Sequence, residues 1–354
     1  MNDDPKIIAK KSLDNIIRKS RVHLYKPIQI AEILYRHRVY KDINLLNPED
    51  YRNKSKAWRD AISLPLLGRI CTSSAKFQDN LFDTNAIPPN ILAILGEENI
   101  KRGGAVEAYI YNCFIRKHTQ LSVALRYCLN ANPSNFNIKT FIDSFWNEPG
   151  LRRSIDKVYE IIVYALFSTL IEAMNLQIEV SVSDDALPIL REFEDFSQKV
   201  ICLDTQNIRH LQNANVYRVG VTNAADRGLD MYSNWGPAIQ IKHLTLDAEL
   251  AKDIVESITS NKIIIVCKDV EKPVIESLLT QIGWRNRIQS IITESNLIIW
   301  YDKALRGRYT DLLANNLLKT LANEISNEFP SVENIPKQLI NRHYEMIKDD
   351  FWIQ

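Results

Sequence analysis

DRGLDMYSNWGPAIQIKHL, residues 226–244, is the stretch on which the fold turns. Ala238–Leu244 alternates so that Gln240 and Lys242 share one face of a strand, while Ile239 and Ile241 take the other. Asn234-Trp235-Gly236-Pro237 is a turn, and it folds Leu229–Ser233 back alongside as the second arm of a β-hairpin. Asp230 then lies near the polar face of the hairpin, with an amide and an amine beside it. The isoleucines and the nearby run KIIIVC, residues 262–267, imply an interior sheet. A lysine on an interior strand is costly without an anionic partner, and Asp230 with a bound cation supplies one.

Working outward, strands are expected at 176–182, 216–221, 262–267, 288–292 and 297–300, with helices at 247–259 and 273–282. Before the hairpin, Ser154–Met174 reads as one long apolar helix carrying Glu160 among Val158, Tyr159, Ile161, Ile162 and Val163. An acid in so apolar a stretch is seldom left unpaired. Glu160 is therefore a candidate catalytic acid and ligand, direct or indirect, of the cation at the hairpin, with a solvent-exposed stripe of the helix as the alternative and Glu172 or Glu107 as substitutes. Residues 1–150 are expected to be mainly helical, and Pro149-Gly150 is the best boundary. Strands flanked by helices define an α/β core over 151–306, a mixed central sheet, followed by C-terminal helices over 307–354.

Composition narrows the class without choosing a function. The 354 residues are 45% hydrophobic and 25% charged, as in an ordinary globular protein. No apolar run is long enough for a membrane span, and the charged N-terminus lacks a secretory core, so a cytoplasmic protein is expected. Five scattered cysteines form no metal or disulfide pattern, and six histidines lack metal-ligand spacing. Phosphate-loop and nucleophile-elbow motifs are absent. The net charge is only +1, yet residues 1–41 carry ten Lys/Arg against four Asp/Glu, a basic arm suited to phosphates or simply a solvated helix face.

An acid, an amide oxygen and an ammonium at this spacing suit phosphodiester hydrolysis. A hard divalent ion binds oxygen ligands. Asp230, the Gln240 side chain and the backbone carbonyl of Ile241 are the candidate metal donors. Lys242 is placed to orient the attacking water and to stabilise the developing anion. The spacing resembles the PD-(D/E)xK nuclease motif, with Gln240 standing where an acid is usual. That departure removes one negative charge and leaves open whether one or two ions bind.

Longer phrases narrow the resemblance. DRGLDMYSNWGPAIQIKHLTL, KVYEIIVYALFSTLIEAMN and SRVHLYKPIQIAEILYRHR are similar to the HaeII family of type II restriction endonucleases, over nearly the whole chain. The resemblance implies a PD-(D/E)xK fold, Mg²⁺ dependence and cleavage of double-stranded DNA at a short palindrome, purine-GCGC-pyrimidine in HaeII-type enzymes. It places the catalytic roles on Asp230, Gln240 and Lys242. A palindrome has two-fold symmetry, so a homodimer is expected. A cognate DNA methyltransferase would act on the same site without stable binding. Residues 1–150 are expected to supply many DNA contacts, with Arg21, His23, Lys26, Arg36, Arg38, Lys101 and Arg102 as candidates, joined by Arg227 of the hairpin segment. Two other readings stay open: a non-catalytic DNA-binding protein whose nuclease site has decayed, and a repair or recombination nuclease of the same fold.

Overall fold

The computed structural model describes residues 4–71, 75–219, 229–242, 262–281, 287–329 and 336–353. The expected helix at 247–259, the hairpin positions beyond Lys242, and Asp226 and Arg227 lie outside the described residues. The chain divides into two compact units.

The first unit comprises Met1–Asn130, Lys139–Lys157 and Ile325–Gln354 and is helical. Its opening helix, Pro5–Lys19, starts with Pro at its first position and Asp4 capping the Lys6 amide. Helix Tyr25–Val39 is buried along all of Pro27–Leu34 and forms the middle of the core with Leu13, Leu92, Leu95, Val106 and Phe114. The final segment returns to this core through Leu339, Tyr344 and Trp352. Buried charge is paired here. Glu32 accepts both arms of Arg342 at 2.6 and 2.8 Å. Glu107 accepts both arms of Arg38 at 2.9 and 2.8 Å, and also the Tyr344 hydroxyl at 2.6 Å. Isolated, either carboxylate would be too costly to bury.

The second unit, Ala131–Ile138 and Val158–Glu324, holds the β-structure. Strands β1 (Gln177–Ser181) and β2 (Arg209–Asn213) form an antiparallel pair. Strands β3 (Val216–Arg218), β4 (Met231–Ser233), β5 (Ala238–Lys242), β6 (Ile263–Cys267) and β7 (Ile288–Thr293) form a five-stranded mixed sheet in that order. Its β3–β4–β5 half is antiparallel and its β5–β6–β7 half parallel. Strand β5 is the central strand, paired along both edges, and both its faces are covered as well: Ile239 and Gln240, on opposite faces, are each 1% exposed. Helix Ile155–Ala173, spanning the division between the units, takes its apolar character from residues buried almost throughout Val158–Leu166. Within the second unit the Tyr301 hydroxyl donates to Ile162 O at 2.9 Å.

One expected strand is absent. Residues 297–300 are helical, part of Glu294–Arg306. The apolar run LIIW suits either state by composition. A capping box decides it: Thr293 accepts from the Asn296 amide, while the Asn296 side chain takes the Thr293 amide.

Candidate active site

The hairpin is built by its turn. Ser233 N and Oγ both donate to Pro237 O at 3.0 Å, and Gly236 holds φ at +121°, a region that favours glycine. Met231 then pairs with Ile239 and Tyr232 with Ala238. Continuing that register sets Asp230 opposite Gln240. On the other side β4 keeps its ladder, for Val219 N donates to Asp230 O at 2.9 Å.

Towards β5 the ladder changes at Asp230. With Ser233 N bonded to Pro237 O, the rungs fall at alternate residues, and the next beyond Met231 and Ile239 would join Ile241 to Leu229. Instead the Ile241 amide donates to the Asp230 carboxylate at 2.7 Å. The same oxygen accepts from Gln240 Nε2 at 2.8 Å. A side chain has taken the place of a backbone rung and pins the carboxylate between the two strands. By strand alternation the Ile241 carbonyl projects to the same side as its amide, towards β4.

Those bonds fix the amide orientation of Gln240, since its nitrogen must face the carboxylate. Its oxygen, Oε1, is buried and has no hydrogen-bond partner among the described residues. Leaving such an acceptor unsatisfied costs about 1–3 kcal/mol, so this is where a cation or proton donor is wanted. Carboxylate, amide oxygen and backbone carbonyl are hard oxygen donors, the kind Mg²⁺ takes. The residues fit that ion. Among the described residues no group of three His, Cys, Asp or Glu is gathered for a metal.

Lys242 is the last described residue of β5, in register with Cys267 of β6; its side chain lies outside the described residues. Burial pushes the Cys267 thiol up to about 12, so it is no nucleophile. Glu160 is 4% exposed on its helix, which removes the exposed-stripe alternative, whereas Glu172 is exposed. Glu107 is held by Arg38, Asn99 and Tyr344 in the helical unit.

The proposed DNA contacts sit in varied settings. Arg21 and Lys101 are exposed. Lys26 is half-buried. Arg36 forks onto Asp42, and Arg102 onto Glu98 and Asp349. Arg38 is engaged by buried Glu107. His23 is buried, and desolvation together with the neighbouring Arg69 lowers its pKa to about 3. Two residues the sequence reading passed over are Tyr217 and Tyr232, exposed rings stacked 5.1 Å apart. Tyr232 lies two residues from Asp230 on the same strand and so on the same sheet face; that parity was available in the sequence.

A mixed sheet flanked by helices, with an acid and an amide joined across its central hairpin, is consistent with a restriction-endonuclease-like α/β core. The family model described as HaeII restriction endonuclease matches residues 9–344. The chain is 57% identical over 326 residues to the type II restriction enzyme HaeII of Haemophilus aegyptius, covering 92% of this chain and 93% of that one. It is 53% identical over 347 residues to the type II restriction enzyme NgoBI of Neisseria gonorrhoeae, covering 97% and 98%. No solved structure matches the chain. The chain belongs to the HaeII restriction endonuclease family and is a type II site-specific deoxyribonuclease.

Proposed function

We propose that the enzyme hydrolyses phosphodiester bonds of double-stranded DNA in a Mg²⁺-dependent reaction at a short palindrome, with purine-GCGC-pyrimidine the sequence to test first. The observation that carries the metal and the site is the amide oxygen of Gln240, buried and without a hydrogen-bond partner among the described residues, beside the pinned Asp230 carboxylate. Asp230, Gln240 Oε1 and the Ile241 carbonyl would hold the ion. When bound, Mg²⁺ supplies charge compensation at the phosphate and lowers the pKa of water. Asp230 fixes the position of the site through its two hydrogen bonds to β5. Gln240 contributes a neutral donor where an acid is usual, so binding is weaker than in a two-carboxylate site. Lys242 orients the attacking water and stabilises negative charge at the phosphate oxygens. Glu160 is the second acid, as a direct or an indirect ligand.

Residues 1–150 are the recognition region, 151–306 the catalytic core and 307–354 the C-terminal helices. Arg21 and Lys101, both exposed, are the first candidates for DNA contacts, with Arg227 near the hairpin. The working form is a cytoplasmic homodimer, one active site per strand of a two-fold substrate, and a cognate methyltransferase protects the host's own sites. No helix among the described residues is long and apolar enough to cross a membrane. Digestion of a sequenced plasmid with and without Mg²⁺, followed by mapping of the ends, tests the reading. Discrete fragments ending at one palindrome are expected. Binding without cutting in Mg²⁺ or Mn²⁺, or cleavage without fixed ends, would contradict it.

A further inference from the structure

Between β1 and β2 the chain inserts two short helices, Leu187–Glu192 and Glu194–Val200. Leu190 and Leu203 anchor this insert, at 5% and 1% exposed. Its loop is fixed by Glu194, which accepts from both Thr205 N and Oγ1, and by Asp204, which accepts from the Gln206 and Asn207 amides. The outer face is apolar nonetheless. Ile189, Phe193, Phe196 and Val200 are 63%, 54%, 56% and 61% exposed, and Ile201 is 37% exposed. Ile189, Phe193 and Phe196 also line a groove of about 490 Å³ whose other walls include Val182 and Ile201.

We infer that this insert is the surface through which two copies of the chain associate. The inference rests on the two-fold substrate proposed above. Charge excludes nucleic acid as the occupant, for residues 183–201 hold five Asp/Glu against two Lys/Arg, and phosphates would be repelled. Area points to a protein. Taking roughly 200 Å² for an aromatic side chain and roughly 100 Å² for an aliphatic one, the five residues present on the order of 400 Å² of apolar surface. A standard interface takes about 800 Å² from each partner, a little over half of it apolar. The face therefore holds nearly the whole apolar share of one such interface, and it is the size of the largest patch, roughly 300–600 Å², that a typical monomer exposes and often uses. Shape favours a second copy over a foreign partner. Groove and exposed phenylalanines lie on the same element, so one patch can meet its own copy across a two-fold axis, the isologous arrangement. Arg191 and Lys199 beside Glu192, Glu194 and Asp195 give both signs of charge at the rim.

Sedimentation equilibrium of the full chain and of a Phe193→Asp/Phe196→Asp double variant tests this. The wild type is expected at twice the chain mass at micromolar concentration. The variant is expected as a monomer with unchanged far-ultraviolet circular dichroism, its association weakened by about a hundredfold or more. A dimer that survives the double substitution overturns the assignment, as does a wild type that stays monomeric at the concentrations where it cuts. Should the variant unfold, hydrogen exchange on the wild type decides. Slowing across 187–201 as protein concentration rises through the dimer range supports the surface, and concentration-independent exchange overturns it. A wild type that dimerises through this face yet never cuts DNA would sink the nuclease reading and leave the surface standing.

Discussion

Replacing Gln240 by Glu restores the acid usual in this motif, and the geometry says it should first do harm. Gln240 Nε2 donates to Asp230 Oδ2 at 2.8 Å in a position only 1% exposed. In Gln240→Glu that donor becomes a second carboxylate oxygen. A hydrogen bond to a charged acceptor is lost, a matter of about 1.5–3 kcal/mol. Two like charges about 4 Å apart add a repulsion on the order of 4 kcal/mol at an effective dielectric constant near 20. Proton sharing caps the sum, because one carboxyl of such a pair takes up a proton once ionisation becomes too costly. A loss of about 4 kcal/mol in EDTA at mildly alkaline pH is the expected outcome. The variant's shared carboxyl has a raised folded pKa. The folded state thus binds more protons, and the deficit is small below the unfolded value of about 4.3 and grows as pH rises through the folded one. Excess Mg²⁺ should return stability, by about 2.7 kcal/mol when its concentration is a hundred times the dissociation constant. Urea denaturation of both proteins in EDTA and in MgCl₂ reads all of this. A variant as stable as wild type in EDTA would mean that the amide does not donate to Asp230. A variant unaffected by Mg²⁺ would mean that the hairpin is not a cation site.

Two further outcomes come from the helical unit. Arg342→Met strands Glu32, whose side chain is 5% exposed, and should cost about 3–5 kcal/mol by chemical denaturation; a loss under about 1 kcal/mol would show that water reaches the carboxylate. His23 and His118 are buried neutral, with pKa values lowered to about 3 and about 4 chiefly by desolvation. The unfolded chain binds protons at these sites from about pH 6.5. Their stability contribution is therefore complete above that pH and is lost as pH falls towards the folded values, by up to about 3 kcal/mol each near pH 4. Urea midpoints measured from pH 7 to 4 should fall accordingly, and His118→Gln should flatten the slope; a flat wild-type profile would show that the rings protonate in place.

The hairpin was legible because its signals are local: period-two alternation in Ala238–Lys242 and a turn with glycine at position 236. Its register follows from the turn, so the meeting of Asp230 with Gln240 could be read before any coordinates. What the sequence hid was how they meet. Parity places Asp230 near the polar face but does not say that its carboxylate displaces the Leu229 rung and takes the Ile241 amide. Residues 297–300 were misread as a strand because four apolar residues have no period of their own; the Thr293–Asn296 cap before them held the answer. The helix Ala105–Leu129 is hard to delimit in the sequence, since polar residues on its outer face mask the buried stripe that includes Leu121, Leu125 and Cys128. Charge counting is blind in a different way. The basic arm contains Arg38, but its partner Glu107 is 69 residues away, and a pairing at that distance leaves no mark in composition.

Single-turnover cleavage of a duplex carrying the palindrome, by wild type, Asp230→Asn and Lys242→Ala, tests the central claim most directly when duplex binding is followed by anisotropy in Ca²⁺. Both variants should bind the duplex within a few-fold of wild type while cutting about a hundredfold or more slowly. Wild-type cutting by either variant would place the chemistry elsewhere in the chain.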